Sequence, residues 1–548
     1  MFHPRWLILP SLLLLSLGCV SVKDTTGTLT TVTVTGQYRD PGTGTLKPTR
    51  YCWAEVYDVN TGGITDSGYL GANGQGTFAY PSGDSVQVLI YARVEVPDGT
   101  SFTLRGSVKN AALAASYTNA AAFNAVADVS LSSVAGSGSS LTLTAEPDAA
   151  QTEQAFNAAD QMVVFGQGLK ILQPGIKLPN LHAFFTPSRN TTGYPQAVLD
   201  GSHLVVQQSS GRAIFALPVA GNATGAASTN NDLKDDAVLL EAYSHLLFAD
   251  YSLYETGSSP LSYLRRDNED VSVERDFQSE PTLAFATGYA DFLACAFRSL
   301  DGAANPQLIT DTQVSAGGSA ITSTFDLSSH AQFARVTNQG EFYRGSVAIS
   351  LWQSWKVALG GSVPALQTLW DATARSQPGE YLNAPLGAYP TYLLGLKNLL
   401  GPASTNWSNT LFQLSLEDVQ DPTPAYFAST ALWTTAPGLP FLATGSLTTY
   451  APATGIYTDR DQAVSYRFTH TGGALTIQMT PTGGQDFFLE LIGPDGVLNT
   501  NTAPPVGAPP VRTITKDASF PAGTYVARIR AGYTTATGTA SYSLSVTP

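Results

Sequence analysis

The chain has 548 residues, enough for three or four domains that each bury their own core. Charged residues make up only 13%, about half the ~25% usual in soluble proteins, while apolar residues stand at an ordinary 43%. That balance excludes a disordered chain, and the net charge of -14 with no run of Lys or Arg argues against a nucleic-acid partner held through phosphates.

The first predicted element is a leader. Arg5 precedes an apolar run from Leu7 to Leu17, then Gly18 and Cys19, with polar Ser21, Lys23 and Asp24 beyond. As a helix the run reaches about 16 Å, against a bilayer core of about 30 Å, so it reads as a signal peptide rather than a membrane span. Leu17-Gly18-Cys19 resembles the end of a bacterial lipobox, which implies that the Cys19 thiol carries lipid and becomes the new N-terminus. Val20 and Ser21 lack the Asp that resembles an inner-membrane retention signal. The expectation is a lipid-anchored cell-envelope protein at the outer membrane or cell surface. Cys52 and Cys295 fall in different predicted domains and read as buried thiols.

From Thr28 to about Thr144 the pattern alternates with period two, as in Thr31-Val32-Thr33-Val34-Thr35 and at Val86, Val88 and Ile90, which predicts the strands of a β-sandwich. The succession Val34-Thr35-Gly36, Ala54-Glu55-Val56-Tyr57, Asp66-Ser67-Gly68 and Ala72-Asn73-Gly74-Gln75-Gly76-Thr77-Phe78 resembles the transthyretin-like, carboxypeptidase-regulatory sandwich family. Asn73-Gly74 supplies the positive φ of a tight turn. Near Glu146 the pattern becomes helical. Helices are predicted from Thr152, from Asp235-Asp236 through Leu240, His245 and Phe248, and from Pro281 along the run Leu283 to Leu300. Acids at one start and Pro at another suit the positive end of a helix. Further helices are predicted over about 341–358, 364–374 and 389–400. Trp352 and Trp355 read as core, with a carbohydrate or peptide groove as the alternative.

A linker rich in Pro and Thr over 421–447 leads to renewed alternation at Val464 to Phe468, Leu475 to Met479 and Asp486 to Ile492. With the entry Phe520-Pro521-Ala522-Gly523-Thr524-Tyr525 and the finish Ser541-Tyr542-Ser543-Leu544, this region resembles the bacterial pre-peptidase C-terminal domain, a jelly-roll-like sandwich. Asp459, Asp461 and Asp486 are candidate calcium ligands there, weighed against ordinary solvated turn acids.

In the helical middle, Asp236-Ala237-Val238-Leu239-Leu240-Glu241-Ala242-Tyr243-Ser244-His245 resembles the zinc helix of the gluzincin (HExxH...E) metallopeptidases. The stretch from Ser279 to Ala294 resembles their second signature helix, which supplies the third ligand. That chemistry needs two ligands at i and i+4 on one helix face, an intervening Glu that deprotonates the zinc-bound water, and an acidic ligand from another helix. Residue by residue, the first His falls on Glu241, the base on Ala242, the second His on His245 and the third ligand on Thr287. Only His245 keeps its identity. Ala242 accepts no proton, a loss worth ~10²–10⁴ in rate, and Thr287 offers only a neutral hydroxyl. No Gly-x-Ser-x-Gly elbow or phosphate-binding Gly-rich loop is present.

The expected architecture is multidomain, with two all-β sandwiches, Ig- or transthyretin-like and jelly-roll-like, flanking a mainly α metallopeptidase-like domain. Its parts are a signal peptide over 1–18, an anchor linker over 19–27, the first sandwich over 28–145, a degenerate α+β domain over 146–420, the linker over 421–447 and the second sandwich over 448–548. The expected function is a binding or structural module, without cofactor, for a protein, peptide or glycan ligand that the sequence does not name. The alternative is a zinc-dependent peptidase or hydrolase using Glu241, His245 and Asp291, which stands one turn after Thr287. In the bland reading Glu241 pairs with His245, Arg265 or Arg266. A third reading is an adhesin-like scaffold whose sandwiches bind glycan or cell wall.

Overall fold

A computed structural model describes residues 28–111, 125–135, 140–148, 150–178, 180–186, 196–197, 199–200, 203–204, 215–220, 228–230, 235–250, 281–315, 320–330, 343–375, 389–419, 421, 434–449, 463–482, 487–493, 496–501, 511–531 and 538–548. For some of these, His245 among them, only the backbone is described. Sheets and helices together give a multidomain chain, rich in strand with a helical middle. Among the described residues no helix is long and apolar enough to cross a membrane. Cys19, Arg265, Arg266, Asp459, Asp461 and Asp486 lie outside the described residues.

Two compact units divide the chain. Of the described residues, one holds those up to Gln37, within Pro48–Tyr91 and within Ser130–Thr144; the other holds those within Tyr38–Lys47, within Ala92–Val129 and from Ala145 onward. The strands of the first third are β1 (Leu29–Arg39), β2 (Leu46–Pro48), β3 (Cys52–Asp58), β4 (Ile64–Tyr69), β5 (Gln75–Pro81), β6 (Val86–Asp98), β7 (Ser101–Asn110), β8 (Ser130–Ala135) and β9 (Ser140–Ala145).

In the smaller unit β1 pairs antiparallel with β5, β3 with β4 and the first half of β6 with β8, while β3 lies beside β6. The period-two alternation has the expected result: Val32, Val34, Ala54, Val56, Val86, Val88 and Ile90 are fully buried. Each of the larger apolar side chains contributes about 1.5–3 kcal/mol of burial, which holds the two sheets face to face. Gly36 leaves room for Ile90 of the facing sheet, since a Cβ there would stand 2.7 Å from Ile90 Cδ1. Gly74 adopts φ +71°, as the Asn73-Gly74 pair predicts, and a Cβ on it would collide with the Gly36 carbonyl at 2.5 Å.

In the larger unit the second half of β6 pairs antiparallel with β7, Arg93 opposite Ser107. Next to β7 runs the parallel strand β10 (Leu181–Thr186), itself parallel to Phe215–Ala220. One face of this ladder packs on helix α1 (Thr152–Leu172), where Gly106 and Gly166 leave room for Met162 and Val96. The other face is polar and buried. There Lys109 Nζ lies 2.7 Å from Asp128 Oδ1, and Ser107 Oγ lies 2.8 Å from His182 Nδ1. Burial, reinforced by Lys109, pushes the His182 imidazole down to about 3, so it is neutral at physiological pH.

Among the described residues six more α-helices follow: α2 (Asp236–Asp250), α3 (Pro281–Leu300), α4 (Arg344–Gln353), α5 (Val363–Arg375), α6 (Tyr389–Leu400) and α7 (Thr405–Ser415). The starts at Asp236, Pro281 and Tyr389 match their sequence signals. The helix expected over 341–358 differs: its α-helical part is α4, and Ser354–Ala358 continue as a π-turn that ends toward Gly360 and Gly361, both at positive φ. Helix α7 has no counterpart among the predicted elements, although Ser404 caps it by accepting from the Trp407 amide. Trp352 and Trp355 are core residues, 5% and 1% exposed, with rings edge to face.

From Phe441 onward two further sheets share a core to which Phe468, Leu489 and Ile529 contribute from one, and Ile477, Leu544 and Val546 from the other. The hydroxyls of Tyr466 and Tyr542 meet across them at 2.8 Å.

Candidate functional site

Helix α2 begins in a polar network. Asn157 on α1 donates to Asp236 Oδ1 at 3.0 Å, Lys47 Nζ lies 3.7 Å from Asp236 Oδ2 and also pairs with Asp40, and the buried Tyr38 hydroxyl donates to Asp160 at 2.9 Å. Desolvation pushes the Asp236 carboxyl up despite Lys47. Beyond this start the helix is buried on several sides. Tyr243 donates to the Ala158 carbonyl at 2.9 Å, and Ser244 bonds back to the Leu240 carbonyl at 2.7 Å.

Glu241 and Ala242 occupy the next turn, 8% and 3% exposed. His245 lies four residues after Glu241, hence on the same face of the helix. Ala242 places a methyl group directly after Glu241 on this helix. On α3, Thr287 and Asp291 are fully buried, and Thr287 Oγ1 lies 3.5 Å from the Ala284 carbonyl of its own helix.

The two carboxylates singled out in the sequence do converge, and the group between them is an arginine. Arg344, the first residue of α4, donates to Asp291 through Nε at 2.6 Å and Nη2 at 2.8 Å, the two-point geometry a guanidinium makes with a carboxylate. Its Nη2 also lies 3.0 Å from Glu241 Oε1. Arg344 is only 6% exposed. A cation at the first position of a helix faces the positive end of the helix dipole, so the two acids, and not the local backbone, favour its position. Helices α3 and α4 come close enough for this because residue 288 is glycine: a Cβ there would stand 2.6 Å from the Arg344 carbonyl oxygen.

These residues do not fit a gluzincin zinc. Glu241 and Asp291 direct oxygens to Arg344, Ala242 has no donor, and Thr287 is a neutral hydroxyl in a fully buried place. Divalent charge beside the guanidinium would add like-charge repulsion in a desolvated setting. Arg344 was absent from the sequence-derived site. Its signal is nonetheless present: a lone arginine opens the segment Arg344–Gln353, in which no acid stands to pair with it.

No family model matches the sequence, and no curated protein matches it. Among solved structures, 21% of the chain is similar to 92% of the pre-peptidase C-terminal domain of a collagenase from Bacillus anthracis, at 17% identity and a TM-score of 0.15. A periplasmic inhibitor of g-type lysozyme from Aeromonas hydrophila is similar over 21% of this chain and 95% of its own, at 16% identity and a TM-score of 0.15. The Yersinia pseudotuberculosis-derived mitogen is similar over 20% of this chain and 86% of its own, at 19% identity and a TM-score of 0.14.

Proposed function

We propose that this chain is a lipid-anchored cell-envelope protein whose helical region keeps a metallopeptidase-like arrangement but has exchanged metal chemistry for an internal ion-pair network. It serves as a binding or structural module. A transthyretin-like sandwich precedes the helical region, a pre-peptidase C-terminal-like sandwich follows it, and Cys19 carries the lipid at the outer membrane or cell surface. The observation that carries this reading is Arg344, whose guanidinium takes the place between Glu241 and Asp291 that a reorganised metal site would need. Ala242, at the position where the resemblance implies the general base, has no group that accepts a proton, and the nearby Glu241 and Asp291 carboxylates are paired with Arg344.

The test is metal analysis of the purified chain together with a peptidase assay in added zinc, manganese or calcium. The expected outcome is zinc well below one equivalent and no hydrolysis. Stoichiometric zinc, with hydrolysis abolished by a chelator and by His245→Ala, would overturn the reading.

A further inference from the structure

The outward face of the smaller unit is aromatic where a strand surface is ordinarily polar. Cys52, Ala54 and Val56 of β3 point into the core, so Trp53, Glu55 and Tyr57 point out. Three rings converge on the Glu55 carboxylate: Trp53 Nε1 donates to Oε1 at 2.9 Å, while the Tyr57 and Tyr91 hydroxyls donate to Oε2 at 2.5 and 2.7 Å. Trp53 also meets Tyr69 across the β3–β4 pair, with ring centroids 4.8 Å apart. None of the four rings is buried, and Tyr69 is 36% exposed.

From these residues we infer that this face binds a neutral polysaccharide of hexopyranose units. The rings around this one carboxylate span an aromatic platform about 13 Å long, four residues of strand, and about 10 Å wide, the width of three strands. In it Trp53 and Tyr69 stand edge to face at 68° and so offer both a ring face and a ring edge. That area matches a few consecutive sugar rings, whose C–H faces stack on aromatic faces. The shared carboxylate restrains the side chains before binding, so little rotamer entropy remains to be lost. The rim supplies hydroxyls and an amide: Ser67 on β4, Ser130 and Ser132 on β8, and Gln87 on β6. A carboxylate at the centre disfavours an anionic polymer. Peptides that join sheets pair with a strand edge and use side-chain pockets, whereas here the binding groups lie on the flat of the sheet. The inference goes beyond the reading of the helical region and does not rest on it.

The experiment is affinity electrophoresis of the full chain in native gels containing hydroxyethylcellulose in one arm and glycol chitin in the other. The wild type should be retarded in at least one gel, and the arm that retards it identifies the sugar as plain or N-acetylated. Trp53→Ala and Tyr91→Ala should weaken binding at least tenfold. Tyr69→Ser, at the most exposed ring position, tolerates folding best and should weaken it several-fold, with circular dichroism checking each variant. Phe412→Ala, at an exposed position on α7, should bind as wild type does. No retardation in either gel, or equal retardation of wild type and all three platform variants, overturns the inference. Either result leaves the metal analysis untouched, and bound zinc would leave the platform untouched.

Discussion

Arg344 links two acids that lie 53 and 103 positions before it in the chain, and its removal tests whether the three residues act as one unit. Arg344→Met leaves Asp291 and Glu241 buried without the guanidinium, at a cost of about 3–5 kcal/mol, to be read from urea unfolding of the full chain. Replacing all three together by apolar residues of similar volume should cost less than Arg344→Met does, because no buried charge is then left unmatched. The pair of His330 and Glu417 also responds to pH. His330 Nδ1 lies 2.7 Å from Glu417 Oε1, and Glu417 is fully buried. Hydrogen bonding to Glu417 raises the His330 value, while burial raises that of Glu417. In both cases the folded form holds its proton more tightly than the unfolded one does. The stabilisation from His330 is therefore complete below its unfolded value of about 6.5 and is lost as pH rises through its higher folded value. Burial of Glu417 has the same sign, favouring the folded state at lower pH and opposing it as the carboxyl ionises. His330→Gln should flatten the decline of the unfolding midpoint as pH rises above the ordinary imidazole value of about 6.5.

At the scale of elements, glycines set which helices can touch. Gly288 brings α3 against α4, and Gly168 on α1 receives the Phe297 ring, where a Cβ would stand 2.3 Å from Cδ1. Gly288→Ala should destabilise the chain by about 1–3 kcal/mol, measured by denaturant unfolding, because the displaced backbone at Arg344 also carries its ion pairs. The helices themselves were largely readable. An acid at Asp236, a Pro at Pro281 and sustained apolar runs are local signals, acting within a turn of the residue that carries them. The approach of α3 to α4 was not readable, since nothing in either segment alone tells a packing glycine from a flexible one. The missed helix α7 had its signal in Ser404, but its buried residues Trp407, Thr410, Gln413 and Leu414 include two polar ones, which blurs the apolar stripe.

For the whole molecule, the two described cysteines offer a separate probe of each unit. Cys52 lies in the smaller and Cys295 in the larger, 2% and 0% exposed, and neither is in a disulfide. In a Cys19→Ser chain both should resist a thiol reagent until denaturant opens the unit concerned, and separate denaturant midpoints would show that the units open independently. The same substitution tests the anchor proposed for Cys19: it should move the chain from the membrane fraction to the soluble one.

Low charge, strand alternation and most helix starts were legible in the residue order, because each depends on composition or on neighbours within a few positions. The assignment of Tyr38–Lys47 and of the second half of β6 to the larger unit was not, nor was Arg344 as a partner of Glu241 and Asp291. The aromatic platform lies between these extremes: alternation puts Trp53, Glu55 and Tyr57 on one face, but the approach of Tyr91 to Glu55 depends on strand order. Such pairings rest on which segments meet in space, and a charge's contribution there is set by the burial that meeting creates.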